Sequence, residues 1–446
     1  MPSRWVVAAG AALLLVLAVV AARGDGGEEE RIRHLQALLP IPEGAPPGWF
    51  SLEFADGSLE LMGPTGTIET IGEVARFSGG KLELGPNPRC DRATSGGLYD
   101  VDRDGGTVTF EAVGPDGCPP RQQLLTAGPW TTYTPPPMTT DLPAARPAEV
   151  AATVPLPGAA DLALDDGSVW AALVGSTEIA RIDRTTDSVA GTVDVGYTEQ
   201  VPGLAAGDGA VWLTSWLRST VTRIDAGAGR VAARIPVGRN PSGGLLASGD
   251  DMWVANGGDG TVSRIAAATG RVTRTVAVAQ AGIGVPQDVV AFGGRVLVSV
   301  PQDGQIAQIE PPTEKVSSFY TGRVTSRLAT TPDAVWAVEG GNAGWVTRIG
   351  ADGVPELRVG VGQGRRPQVL AASGEVLWVV TVGGDSPAAD VELLRIDADT
   401  GEVVQRSAVW HPTQRLEIAV DDTGDVWLTT VDAVLRVAAT EVGAGG

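Results

Sequence analysis

The sequence predicts an all-β chain whose last two-thirds form a seven-bladed β-propeller. Three observations predict it. A short hydrophobic pattern ending in tryptophan recurs at Trp170, Trp212, Trp253, Trp336, Trp378 and Trp427, with Leu297 filling the missing beat. The steps between these positions are 42, 41, 44, 39, 42 and 49 residues. An Arg-Ile-Asp-like triplet follows each beat, beginning at Arg181, Arg223, Arg264, Gln308, Arg348, Arg395 and Arg436. The segments between are strand-like and punctuated by turns, and a period of about 40–45 residues with that content is the pattern of propeller blades.

Before the repeats, residues 1–24 hold an apolar stretch from Trp5 to Ala22, preceded by Arg4. A cleaved signal peptide and a short transmembrane anchor both fit it. No cysteine directly follows the stretch, so no lipid anchor is expected. The basic residue before it and the acidic flank after it put the bulk of the chain across the membrane, secreted or anchored to the plasma membrane by the N-terminal helix. Residues 25–45 are predicted as a stalk, with a short helix from Glu28 to Leu39. Residues 46–133 read as a small β-barrel-like domain. Phe50 to Phe54 alternates and turns at Asp56-Gly57 into Ser58 to Leu61. Gly79-Gly80 and Asp104-Gly105-Gly106 mark two further hairpins. The chain's two cysteines, Cys90 and Cys118, both fall here, and in an exported chain they are expected to form a disulfide. Residues 134–147 carry Pro135-Pro136-Pro137 and read as a stiff, polyproline-like linker.

Within 148–440, the third copy shows the physical content of one blade. Leu245-Leu246-Ala247 suits a buried inner strand and Met252 to Ala255 a second. Thr261 to Ile265 and Arg271 to Val276 alternate apolar and polar, as half-buried strands should. One blade cannot cover both its faces, so neighbours must stack around an axis. The tryptophans are predicted as wedges between blades. The arginines are expected to pair with the following aspartate or to snorkel at the rim. The last copy lacks a fourth strand. The segment 148–156 resembles the missing one, so it is predicted to close the ring. Residues 441–446 are expected to form a flexible tail.

The segment Met252-Trp253-Val254-Ala255-Asn256 to Thr261-Val262-Ser263-Arg264-Ile265 resembles the YVTN-type propeller repeat. Asp425-Val426-Trp427-Leu428-Thr429 is similar to the repeat core of the virginiamycin B lyase-like propellers. The resemblance covers roughly 148–440 and implies the propeller fold. In lyase-like members it also implies a catalytic histidine with metal-binding glutamates near the central channel. This chain has two histidines, His34 and His411. The context of His411, Trp410-His411-Pro412, does not align with such a site. In the first domain, Gly97-Leu98-Tyr99, Thr109-Phe110, Asp116-Gly117-Cys118, Arg121 and Pro129-Trp130 together resemble lipocalin-like modules of exported bacterial proteins.

The formal net charge is −20. Nucleic acid is therefore excluded as a partner, since its backbone would be repelled. No nucleophile elbow, zinc-protease motif or Cys-x-x-Cys is present. Asp100 to Gly105 lacks the distal acid of a calcium loop and reads as a hairpin tip. Alignment of the inner strands places Asp161, Asp288, Arg327 and Glu417 at one level of the channel. Alignment three residues beyond the tryptophan beat adds Asn256 and Glu339. These six form the predicted ligand-binding set at the channel mouth. Its oxygens would suit a divalent cation, Ca²⁺ or Mg²⁺, although no cofactor is required. No catalytic residue is assigned. Two functions follow. One is an extracytoplasmic protein that binds an unknown protein or small-molecule ligand, with membrane contact through the N-terminal segment if uncleaved. The alternative is a metal-assisted lyase or hydrolase, virginiamycin B lyase-like or gluconolactonase-like. On the first reading, alanine at Asp161, Asp288 or Glu417 is expected to change stability little.

Overall fold

Each copy of the repeat has two apolar faces to cover, and the computed structural model shows what covers them. It describes residues 34–39, 48–55, 58–62, 68–72, 75–85, 96–104, 107–126, 130–132, 137–199, 202–279, 284–320, 325–339, 344–383, 390–409 and 416–439. Among the described residues from 159 onward, the strands form seven antiparallel sheets in chain order: 159–194, 204–236, 241–277, 289–320, 325–360, 365–409 and 418–437. Six of them contribute four consecutive strands, and the seventh contributes three. The innermost strand of each sheet touches that of the next, and the seventh touches the first, so the sheets form a closed ring.

The apolar core is divided among the gaps of this ring. Seven buried clusters lie one between each pair of neighbouring sheets. Six of them contain a single tryptophan from the preceding sheet. The gap between the fourth and fifth sheets contains Leu297 in its place. All six tryptophans are at most 2 % exposed. Their role as wedges is therefore as predicted.

The arginines differ from expectation. Register pairs each beat with the first residue of its triplet: Trp170 with Arg181, Trp212 with Arg223, Trp253 with Arg264 and Trp427 with Arg436. The guanidinium lies over the indole at 5.7, 5.6, 5.3 and 5.8 Å from its ring centroid in these four, and at 5.9 Å in the pair Arg395–Trp378. This is a cation–π contact within the sheet. Several arginines then reach onward to the next sheet. Arg264 donates to Pro311 O, Arg348 to Ala398 O and Arg436 to Arg184 O. In the fourth sheet the partners are Leu297 and Gln308. Where the aromatic face is absent, so is the cation.

The described residues of the N-terminal part form one nine-stranded antiparallel sheet. Its strands are β1 (His34–Leu39), β2 (Gly48–Ala55), β3 (Ser58–Met62), β4 (Ile68–Gly72), β5 (Ala75–Ser78), β6 (Lys81–Leu84), β7 (Gly97–Asp104), β8 (Thr107–Ala112) and β9 (Trp130–Thr132). They lie in the order β4-β3-β2-β1-β9-β8-β7-β6-β5, and among the described residues no pairing joins the edges β4 and β5. The helix predicted up to Leu39 is contradicted, because His34–Leu39 pairs with β2 along its whole length and with β9 at Leu35 and Gln36. Backbone partners on both sides override a local helical preference. Residues 5–22, which carry the signal or anchor prediction, lie outside the described residues. Among the described residues no helix is long and apolar enough to cross a membrane.

Of the residues that carried the lipocalin-like likeness, Gly97, Tyr99, Asp116, Cys118 and Arg121 meet in one buried cluster. A short helix α1 (Pro119–Leu125) brings Arg121 against Asp116, with Arg121 Nε and Nη2 donating to the two carboxylate oxygens at 2.8 and 2.6 Å. The hydroxyl of Tyr99 and the N–H of Cys118 donate to the same carboxylate. Arg121 Nη1 donates to Gly85 O at 2.9 Å. A Cβ at Gly97 would sit 2.4 Å from Asp116 Oδ2, so the motif's glycine makes room for the acid. Leu52, Leu82, Leu84, Phe110 and Leu125 pack beside it as the domain's core. Cys118 is buried just before α1, and no described cysteine is free. Cys90 lies outside the described residues.

The connecting segment pairs at two points with the outer edge of the ring. Strand β10 (Met138–Thr139) runs parallel to the outer strand of the fifth sheet, and β11 (Arg146–Pro147) parallel to that of the sixth. Strand β12 (Val150–Pro155) then pairs antiparallel with Ala433–Val437 and supplies the fourth strand of the seventh sheet. A proline-rich backbone is already extended. It therefore adds to an open sheet edge without reorganisation, provided its missing N–H groups face away from the partner.

Candidate functional site

Up-and-down strands place the sheet-to-sheet connections and the turns between second and third strands on one face of the ring. The inner strands start from that face, and the channel opens there between their first residues. Asp161 lies in Ala159–Leu164, Asp288 and Glu417 just precede Val289 and Ile418, and Arg327 lies in Thr325–Thr330. These four predicted residues come together. Arg327 Nη2 donates to Glu417 Oε1, and its charge is felt by Asp161 and Asp288. Arg327 is 39 % exposed and Glu417 18 %, so channel water reaches the pair and screens it.

The two aspartates are bound to the framework. The N–H of Leu204 donates to Asp161 Oδ2 at 2.7 Å, and that of Leu162 to Oδ1 at 2.8 Å. The N–H of Leu328 donates to Asp288 Oδ2 at 2.8 Å, and that of Val289 to Oδ1 at 2.9 Å. Each aspartate thus latches its own inner strand to the inner strand of the next sheet. At the corresponding level of the third sheet a side chain is impossible, since a Cβ at Gly244 would sit 2.4 Å from Gln287 O.

One guanidinium faces three carboxylates. Burial, then the nearby charge of Asp288, pushes Glu417 up to about 7 against the pull of Arg327. Burial, and then Glu417, raises Asp161 well above the usual carboxylate range. Burial likewise raises Asp288. Glu417 therefore retains a proton towards neutrality, because burial in the channel disfavours its charged form.

Asn256 and Glu339 do not join this group. Asn256 is fully buried at the end of a second strand, where its Nδ2 donates to Thr261 Oγ1 at 3.0 Å and Ser263 Oγ at 2.9 Å. Glu339 is 1 % exposed. It accepts from Trp345 Nε1 at 2.6 Å and from Thr347 Oγ1, and lies 3.4 Å from Arg358 Nε. Both serve the interior of their own sheets. Among the described residues, no three carboxylate, histidine or cysteine side chains converge as they would around a metal ion.

A second concavity lies on the same face and was not predicted. It is an open cleft of about 700 Å³ beside the sixth sheet, lined by Leu142, Gly362 to Arg365, Gly383, Asp390 and Arg406. Glu392 holds both arginines there, with Arg365 Nε at 3.0 Å and Arg406 Nε and Nη2 at 2.8 and 2.9 Å. The local signals were Gly362-Gln363-Gly364 and Arg365-Arg366, but the lining comes from segments distant in sequence.

No family model matches the chain, and no curated protein matches it. Solved structures do. A streptogramin B lyase structure is 16 % identical over 66 % of this chain and 96 % of its own, with a TM-score of 0.53. The repeat region is a β-propeller. Selenomethionine-substituted virginiamycin B lyase from Staphylococcus aureus is 16 % identical over 63 % of this chain and 94 % of its own, with a TM-score of 0.53. Hydrazine synthase of Kuenenia stuttgartiensis is also 16 % identical, over 64 % and 96 %, with a TM-score of 0.51. At such identity the likeness concerns the fold, and the propeller hosts unrelated chemistries.

The latches make a prediction within the propeller. Asp288→Ala should cost about 1–3 kcal/mol, the penalty for stranding the Leu328 N–H. Asp288→Asn keeps an acceptor and should cost less. Urea unfolding of both variants checks this, and equal, negligible costs would remove the latch. This replaces the expectation of little change.

Proposed function

We propose that the chain is an exported or membrane-anchored binding protein in which a seven-bladed propeller serves as scaffold. One observation carries this reading: the charged groups at the channel mouth are already committed to one another and to the backbone. Arg327 holds Glu417, while Asp161 and Asp288 latch neighbouring inner strands. General acid–base chemistry needs a group free to reach the reacting atom. The net charge of −20 supports a partner other than nucleic acid.

The alternative, a metal-assisted lyase or hydrolase, is favoured by the raised Glu417, since a carboxyl group protonated near neutrality can act as an acid. The test is a panel of lyase and lactonase substrates with added Mg²⁺ or Ca²⁺, on the wild type and on Asp161→Ala, Asp288→Ala and Glu417→Ala. No turnover dependent on these residues is expected. Metal-dependent turnover lost in the variants would establish the enzyme instead.

Export is consistent with a Cys90–Cys118 bridge in the N-terminal domain. Thiol titration of the denatured, unreduced protein is expected to find no free thiol. Two reactive thiols would reject the bridge and weaken the case for export.

A further inference from the structure

We propose that the cleft at the sixth blade binds an organic monocarboxylate carrying an apolar group next to its acid. The floor is Arg365, which is 6 % exposed. It is held by Thr381 Oγ1 at 2.9 Å, by the carbonyls of Thr381 and Asp390 at 3.3 and 2.9 Å, and by Glu392. A Cβ at Gly383 would lie 2.9 Å from Arg365 Nη1, so glycine there leaves space for the guanidinium. A Cβ at Gly362 would lie 3.3 Å from Leu142 Cδ1, so the glycine loop lets this leucine of the connecting segment form an apolar wall.

The two guanidiniums are not fully engaged. Arg406 uses Nε and Nη2 on Glu392, and its Nη1 makes no hydrogen bond among the described residues. Arg365 Nη1 meets Asp390 Oδ2 at only 3.4 Å, and the side chain of Asp390 is 76 % exposed. Asp390 also acts electrostatically on Arg406. A loosely held internal carboxylate therefore stands where a ligand's would bind, within reach of both arginines.

Charge balance selects the class. Arg365 and Arg406 are offset by Glu392 and Asp390. A monoanion that sends Asp390 into solvent leaves this balance unchanged, whereas a dianionic phosphate would add an uncompensated charge. Arginine pairs recognise planar carboxylates through paired N–H groups. The cleft has the volume of small-ligand sites. It shares no residue with the channel mouth, so either reading can fail alone.

The test is calorimetric titration of the full chain with N-acetyl-leucine, N-acetyl-leucinamide and inorganic phosphate. The acid should bind, and the amide and phosphate should bind at least about tenfold more weakly, the difference made by a charge-assisted hydrogen bond. Arg406→Gln should weaken the acid by a similar factor. Asp390→Asn changes an exposed side chain and should tighten it by removing the competitor. A hexapeptide with a free C-terminal leucine, compared with N-acetyl-leucine, separates chain ends from small acids as the source. The proposal is overturned by equal binding of acid and amide, by tighter binding of phosphate, by no effect in either variant, or by no binding of the acid up to about 10 mM.

Discussion

Trp427→Ala is expected to destabilise the propeller by about 3–5 kcal/mol, the range for truncating a buried aromatic. Its indole is fully buried in the cluster that joins the seventh blade to the first. Its Nε1 donates to Asp421 Oδ2 at 2.9 Å. Arg436 lies over its face and extends to Asp187 of the first blade, 3.0 Å away. The substitution therefore opens a cavity at the seam of the ring and removes the surface that positions the arginine. Urea unfolding followed by circular dichroism reads the loss, and a cost under about 1 kcal/mol would contradict the wedge role. The fourth blade supplies the control, because it carries leucine and glutamine at the equivalent positions. Trp427→Leu should therefore cost less than alanine. Arg436→Gln should cost less in that background than in the wild type, by about 0.5–1 kcal/mol.

Arg121→Met should destabilise the N-terminal sheet domain by about 3–5 kcal/mol, because it leaves the Asp116 carboxylate buried without its counter-charge. Arg121→Lys should rescue little, since an ammonium cannot span both oxygens. The pH dependence has a definite sign. Burial alone would raise Asp116, but Arg121, Tyr99 and the Cys118 N–H outweigh it and hold the carboxyl below its ordinary 3.8. A depressed value means that the contribution to stability is present above the unfolded value and lost as pH falls through the folded one. Without Arg121, the opposition to burial weakens and the Asp116 carboxyl should rise. The deficit of the methionine variant should thus shrink between about pH 7 and about pH 4. An unchanged deficit would mean that the arginine acts through packing alone.

The repeat was legible because its period rests on a physical pair. A tryptophan and an arginine face each other once per blade, so both patterns repeat together, and Leu297 with Gln308 still marked the fourth beat. Strand β1 was misread because His34-Leu35-Gln36-Ala37-Leu38-Leu39 suits a helix as well as a strand. The pairing of β10 and β11 left no trace, since two-residue strands have no period. The ring of Asp161, Asp288, Arg327 and Glu417 could be found by aligning inner strands, whose first residues must face the channel. Asn256 and Glu339 lie apart from that ring because the ends of the second strands face the blade interior. The cleft was invisible because its lining is assembled only by the fold.

The strand that completes the last blade also sets a clock. Val150 to Pro155 is synthesised about 290 residues before the last of its partners, Ala433 to Val437. At roughly 5–20 residues per second, that interval is about 15–60 s. For that time β12 lacks its pairing partner, although Val154 can already pack against the first blade, and the intervening blades can pack in order. Ring closure joins the most distant contacts in the domain, so it should be the late and slow step of folding. Until it occurs, the nascent chain exposes an unpaired edge at each end of the blade series, and each edge can accept the complementary end of another copy. Aggregation during synthesis should therefore take the form of exchanged closing strands between chains, and it should be most sensitive to what slows the emergence of the final blade.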